Sequence, residues 1–137
     1  MIFISLILDG IFSKWINPLF TPLTLIFHYK NKYLYTLLAG FIYDIVYTDT
    51  LFLNTTIFIL LLYLIEFIFK RITFNFLNVI LISILVIILY RISIFLILIT
   101  INYIKFDLFN LLYSILYSLI NVIYVIILYL TNKKNSI

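Results

Sequence analysis

Gly40-Phe41-Ile42-Tyr43-Asp44-Ile45-Val46-Tyr47 sets a single carboxylate in the middle of an otherwise apolar run. A carboxylate at the centre of a lipid bilayer costs about 3 kcal/mol on insertion scales and more in simulations, so it persists only where protein or water shields it. Asp44 therefore marks a buried polar site or a contact with a partner. Its surroundings identify the solvent: of 137 residues, 66% are hydrophobic and 10% charged, with a mean hydropathy of +1.29. Soluble proteins run near ~45–50% apolar and ~25% charged. The chain reads as an all-α integral membrane protein.

Polar residues divide it into six apolar stretches, 2–13, 16–28, 33–48, 52–69, 76–101 and 108–130. A spanning helix needs about 20 apolar residues, so about six transmembrane helices use up the chain and leave no room for a soluble catalytic domain. The expected organisation is one transmembrane domain over residues 1–131 and a short basic tail over 132–137. The first two stretches are short, and a re-entrant hairpin is an alternative to two full crossings. Pro18 and Pro22 suit the first turns of a helix that starts near Asn17, where proline removes few needed hydrogen bonds. The start, Met1 to Gly10, has no basic n-region and is broken by Asp9, so it reads as an uncleaved first span.

The basic residues orient the spans. Lys30, Lys32, Lys70, Arg71, Lys133 and Lys134 fall on one side and Lys14 and Lys105 on the other. The positive-inside rule then puts both termini in the cytoplasm of a multi-pass plasma-membrane protein. Topology and anionic headgroups account for this basic edge, whose charges are too dispersed for nucleic-acid binding. The chain has no cysteine, which excludes disulfides and thiolate chemistry. One alanine, Ala39, amid abundant Ile, Phe, Tyr, Asn and Lys points to an AT-rich genome.

Asp9, Asp44 and Arg91 are the charges well inside spans. On this topology they lie roughly 7, 7 and 15 Å from the outer edge. A pair of Arg91 with Asp44 or Asp9 would make the buried charges tolerable and fix helix register; the functional alternatives are an ion path or a docking point. Glu66 lies four residues before Lys70, the favourable order for a helical ion pair. Ser114, Ser118 and Asn121 give the last span a mildly polar face of the kind that bonds helices to each other or to a partner. Gly10 and Gly40 are isolated, so close glycine-mediated crossings are not expected to organise the fold. His28 has no companions for a metal site, and Trp15, Tyr29 and Tyr33 read as interface anchors. With no nucleophile–base pair, phosphate loop or paired catalytic carboxylates, neither enzymatic activity nor a cofactor is expected.

The segment from Gly40 to Phe58 resembles the MreD family of the bacterial rod-shape system. Gly40, Asp44, Asn54, Tyr63, Lys70 and Arg71 occupy the family's glycine, its aspartate four residues on, the asparagine opening the next span, the tyrosine and the basic end. Leu8-Asp9-Gly10 and Pro18-Leu19-Phe20-Thr21-Pro22 also resemble the start of relatives in low-GC Gram-positive bacteria. The second half matches only as hydropathy, and Phe52 stands where the family usually has glycine. The resemblance implies a non-enzymatic scaffold of the cell-wall elongation complex. Its partners would be an MreC-like protein, the MreB cytoskeleton and a peptidoglycan glycosyltransferase/transpeptidase pair, RodA with a penicillin-binding protein; the same faces are compatible with a homo-oligomer. It also implies a fold similar to the substrate-binding subunits of energy-coupling-factor transporters. A vitamin-type transport subunit is therefore the alternative, although such subunits carry an Ala-x-x-x-Ala surface on the first span and this span has no alanine. Asp9, Gly40, Asp44, Asn54, Tyr63, Arg91, Ser114, Ser118 and Asn121 are the candidates for structural or partner-binding roles.

Overall fold

The computed structural model describes residues 2–12, 20–24, 31–48, 50–101 and 104–135. Lys14, Trp15, Asn17, Pro18, His28, Tyr29 and Lys30, to which roles were assigned above, lie outside the described residues. Among those described, regular structure is entirely helical: α1 (Ile2–Phe12), α2 (Phe20–Thr24), α3 (Lys32–Tyr43), a π-helical turn (Asp44–Thr48), α4 (Leu53–Phe69), α5 (Phe76–Thr100), α6 (Leu108–Ser118) and α7 (Asn121–Asn135). Two stretches, Phe76–Thr100 and Leu108–Asn132, are long and apolar enough to cross a membrane by length and composition. Pro22 sits in the first turn of α2 and is buried.

Local chemistry explains most boundaries. The side chain of Asn75 accepts from the Asn78 amide at 2.9 Å to cap α5, and Asp107 caps α6 through the amides of Phe109 and Asn110. The last apolar stretch, continuous in hydropathy, is broken at Leu119–Ile120. Ser114 and Ser118 bond back to the carbonyls of Leu111 and Ser114, and such back-bonding bends helices. Three-residue hydrogen bonds then carry the chain through the break, from the amides of Ile120, Val122 and Ile123 to the carbonyls of Tyr117, Leu119 and Ile120. Helix α7 runs on to Asn135.

Helices α3 and α4 form an antiparallel pair. At one end Lys32 and Tyr33 both bond the carboxylate of Glu66, so the partner of Glu66 comes from the neighbouring helix rather than from Lys70, one turn on. The same bonds bring Lys32 to the end of the pair that carries Lys70 and Arg71. Further along, the two backbones nearly touch: a Cβ built on Gly40 would lie 2.5 Å from the Cα of Thr55. This corrects the expectation that glycine crossings play no part. Thr36, Ala39 and Gly40 form one buried face of small residues on α3, and threonine serves as the second small residue of the pattern. Tyr43, Phe58, Leu62, Val86, Ile87 and Tyr90 build the core beside this crossing.

The loop into α4 passes through Phe52 at φ 59°, ψ 10°. That left-handed conformation is free for glycine and costs other residues roughly 1–2 kcal/mol. The position is the one where the resemblance expects glycine, so the tight turn is kept and the phenylalanine bears the strain, with its ring 6.0 Å from that of Phe41.

Gly40→Ala is expected to destabilise the protein by about 1–3 kcal/mol through overpacking, read as a lower unfolding temperature in detergent. Phe52→Gly should retain or raise stability despite loss of the ring, whereas Phe52→Val should lower it by about 1 kcal/mol. Equal losses for both Phe52 variants would show that the ring contact, not the backbone, dominates there.

Candidate functional site

At the start of α4 the residues Asn54 and Thr55 are buried, and the first amides of a helix have no helical partner of their own. Asp44, 1% exposed, supplies the acceptors from the neighbouring helix. Its Oδ1 accepts from the Asn54 amide at 2.7 Å, from Asn54 Nδ2 at 2.9 Å and from Thr50 Oγ1 at 3.1 Å. Its Oδ2 accepts from the Thr55 amide at 3.1 Å and from Thr55 Oγ1 at 2.7 Å. A carboxylate offers about four lone-pair sites, and donors from 50, 54 and 55 fill them. The negative charge also opposes the positive end of the α4 dipole. Saturated in this way, Asp44 joins the end of α3 to the start of α4.

The network continues inward. Tyr90 of α5 donates to Asn54 Oδ1 at 2.6 Å, and the Tyr43 hydroxyl in turn bonds that of Tyr90. One polar cluster thus ties α3, α4 and α5 at a single level.

Asp9 repeats the arrangement. Its Oδ1 accepts from the Phe20 amide at 2.9 Å, and its Oδ2 from the Thr21 amide at 3.3 Å and Thr21 Oγ1 at 2.7 Å. Here too an aspartate near the end of one helix caps the start of the next, and a threonine hydroxyl completes the clamp. Tyr47 links the two units by donating to the Leu6 carbonyl at 2.6 Å; a Cβ on Gly10 would meet that hydroxyl at 2.9 Å.

Arg91 donates from Nε to Ser118 Oγ at 2.7 Å, and Ser118 donates to the Ser114 carbonyl at 2.7 Å. Arg91 thus engages the broken last helix and Asp44 the α4 start, where the sequence offers either Asp44 or Asp9 as a partner for Arg91. Asn121 is buried beside the same break. Tyr63 stands 64% exposed on α4, away from the cluster, and Ser114 bonds within its own helix. Thr21, Thr55, Tyr43 and Tyr90 belong to the clusters but were not singled out from sequence; the threonines lie eleven or twelve residues after an aspartate, a spacing that a search for the acceptor's partners would have met. Among the described residues, no group of three or more His, Cys, Asp or Glu could hold a metal.

Asp44→Asn would replace an ionised acceptor by a neutral one with a single carbonyl oxygen facing the same donors. Hydrogen bonds to charged groups contribute about 1.5–3 kcal/mol, so a loss of that order is expected. Hydrogen exchange should localise it, with the amides of Asn54 and Thr55 losing protection while those in the middle of α5 keep theirs.

No individually curated protein and no solved structure matches the chain. One family model does, described as rod shape-determining protein MreD, and it matches residues 1–133. That range takes in both aspartate clamps, the Gly40 crossing, the Arg91–Ser118 bond and nearly all of α7. The chain belongs to the MreD family of rod shape-determining membrane proteins.

Proposed function

We propose that this protein is a non-enzymatic scaffold of the cell-wall elongation complex, binding an MreC-like protein and positioning a peptidoglycan glycosyltransferase/transpeptidase pair. The observation that carries this reading is the saturation of Asp44 by donors at the α4 start. A carboxylate that carries a proton or ion needs acceptor capacity to spare; one that clamps helices does not. Asp9 and Arg91 are likewise engaged in bonds between helices, and family membership over 1–133 supports a role in rod-shape determination.

In this reading the chain crosses the plasma membrane six times with both termini in the cytoplasm. The pairing of Lys32 with Glu66 supports it, because it brings together two of the basic segments that the positive-inside rule assigns to the cytoplasm. Asp9, Gly40, Asp44, Asn54, Arg91 and Ser118 would keep the helices in register so that the outer faces, with Tyr63, Ser114 and Asn121 among them or close beneath, meet partners. The expected function therefore depends on rigidity more than on any reactive group.

Depletion in a rod-shaped host should cause rounding or bulging, and the tagged protein should co-purify with the host's MreC-like protein. Normal shape after depletion, combined with uptake of a labelled vitamin that depends on this protein, would favour the transport alternative and overturn the scaffold.

A further inference from the structure

The two halves of the last apolar stretch are held very differently. In α6 only Ser118 is buried, whereas α7 buries Asn121, Val125 and Leu128. Helix α6 packs against α5, and α7 packs against both α5 and α2. Between the halves the chain runs through three-residue hydrogen bonds at Leu119–Ile120, and a tight stretch of that kind inside a helix often marks a hinge. Both aspartate clamps lie elsewhere, joining α1 to α2 and α3 to α4. The end of α6 is tied inward by Arg91, whose Nε donates to Ser118 Oγ at 2.7 Å.

Immediately past the break, the side-chain nitrogen of Asn121 is buried without a hydrogen-bond partner among the described residues. It is enclosed too closely for water to reach it, and an unmet buried donor weighs against the arrangement that leaves it so. An acceptor can come only from a rearrangement of the protein itself. Helix α6 ends within one turn of Asn121, and the last carbonyls of a helix have no partner in their own helix. Turning α6 about the break changes which of those oxygens faces the amide.

We propose that the Leu119–Ile120 break is a hinge latched by the Arg91–Ser118 bond. On it α6 turns between the latched state described above and a second state, in which Arg91 releases Ser118 and the amide of Asn121 gains a carbonyl. The latch favours the first state and the unmet amide opposes it, so the two are balanced against each other. The exposed side chains of Phe109, Leu112 and Leu116 are thereby presented in two orientations, and a ligand or partner that fits one of them better shifts the balance toward it.

The absence of cysteine lets spin labels be placed in pairs on the full chain in lipid nanodiscs. Phe109→Cys on α6 with Ile127→Cys on α7 spans the break, and both positions are exposed. Leu81→Cys on α5 with Ile127→Cys does not include α6 and serves as the control. With the first pair, Ser118→Ala should show two distances, the second of them weaker or absent in the chain that keeps Ser118. Adding Asn121→Leu to Ser118→Ala removes the unmet donor and should cut the share of the second distance about fivefold or more relative to the first. The control pair should keep one distance throughout. If Ser118→Ala fails to accumulate, Arg91→Leu breaks the same latch and takes its place in both arms. One unchanged distance across the break after the latch is broken would overturn the hinge. A ratio that Asn121→Leu leaves unchanged would overturn the opposing role of the amide, and a parallel change in the control pair would mean that the whole bundle loosens and α6 does not turn by itself.

Discussion

Where the first turn of a helix has a buried side, the amides on that side can be satisfied neither by water nor by their own backbone. The start of α4 is such a place, and the structure around it follows from how its donors are met. Asp44 arrives from the end of α3, one turn beyond the point where Gly40 lets the two backbones approach. Without that approach the carboxylate could not lie against Asn54 and Thr55. Without the carboxylate, the close crossing would trap unpaired amides. Each feature depends on the other, which is why a costly charge is retained in a chain with only 10% charged residues.

The same solution is used twice. Asp9 reaches Phe20 and Thr21 much as Asp44 reaches Asn54 and Thr55, with a 2.7 Å threonine hydroxyl bond in both. Tyr47, bonded to the Leu6 carbonyl, joins the end of one unit to the other. Arg91 and Ser118 extend the polar layer to the broken last helix. Charges in this layer bond one helix to another, while many large apolar side chains on the outer faces stay exposed.

Much of this was legible because apolar surroundings make a charge conspicuous. The burial of Asp9 and Asp44, the general helix pattern and the family resemblance all rest on composition and on a few polar residues in unexpected places. What the carboxylates bind was harder to see. Threonine hydroxyls look neutral in a hydropathy pattern, so nothing there distinguishes Thr21 and Thr55, and Tyr90 is one of 12 tyrosines. The Gly40 crossing is hard to read because the residue that faces it on α4 is a threonine, Thr55, rather than a glycine or alanine. Glu66 followed a tertiary partner, Lys32, where a rule of helical spacing favoured Lys70. The break after Ser118 leaves no trace in hydropathy, since Leu119 and Ile120 are as apolar as a straight helix would require.

The dependence of the fold on the Asp44 clamp can be measured as a coupling free energy. Unfolding of the full chain in detergent would be followed for Asp44→Asn, Thr55→Val, Arg91→Leu and the two double variants that contain Asp44→Asn. Groups in direct contact couple by about 0.5–3 kcal/mol, and independent ones add to within about 0.5 kcal/mol. Asp44 and Thr55 should couple by about 1 kcal/mol or more, and Asp44 and Arg91 should be additive. Strong coupling to Arg91 with additivity toward Thr55 would mean that an ion pair, and not the cap on α4, holds the carboxylate.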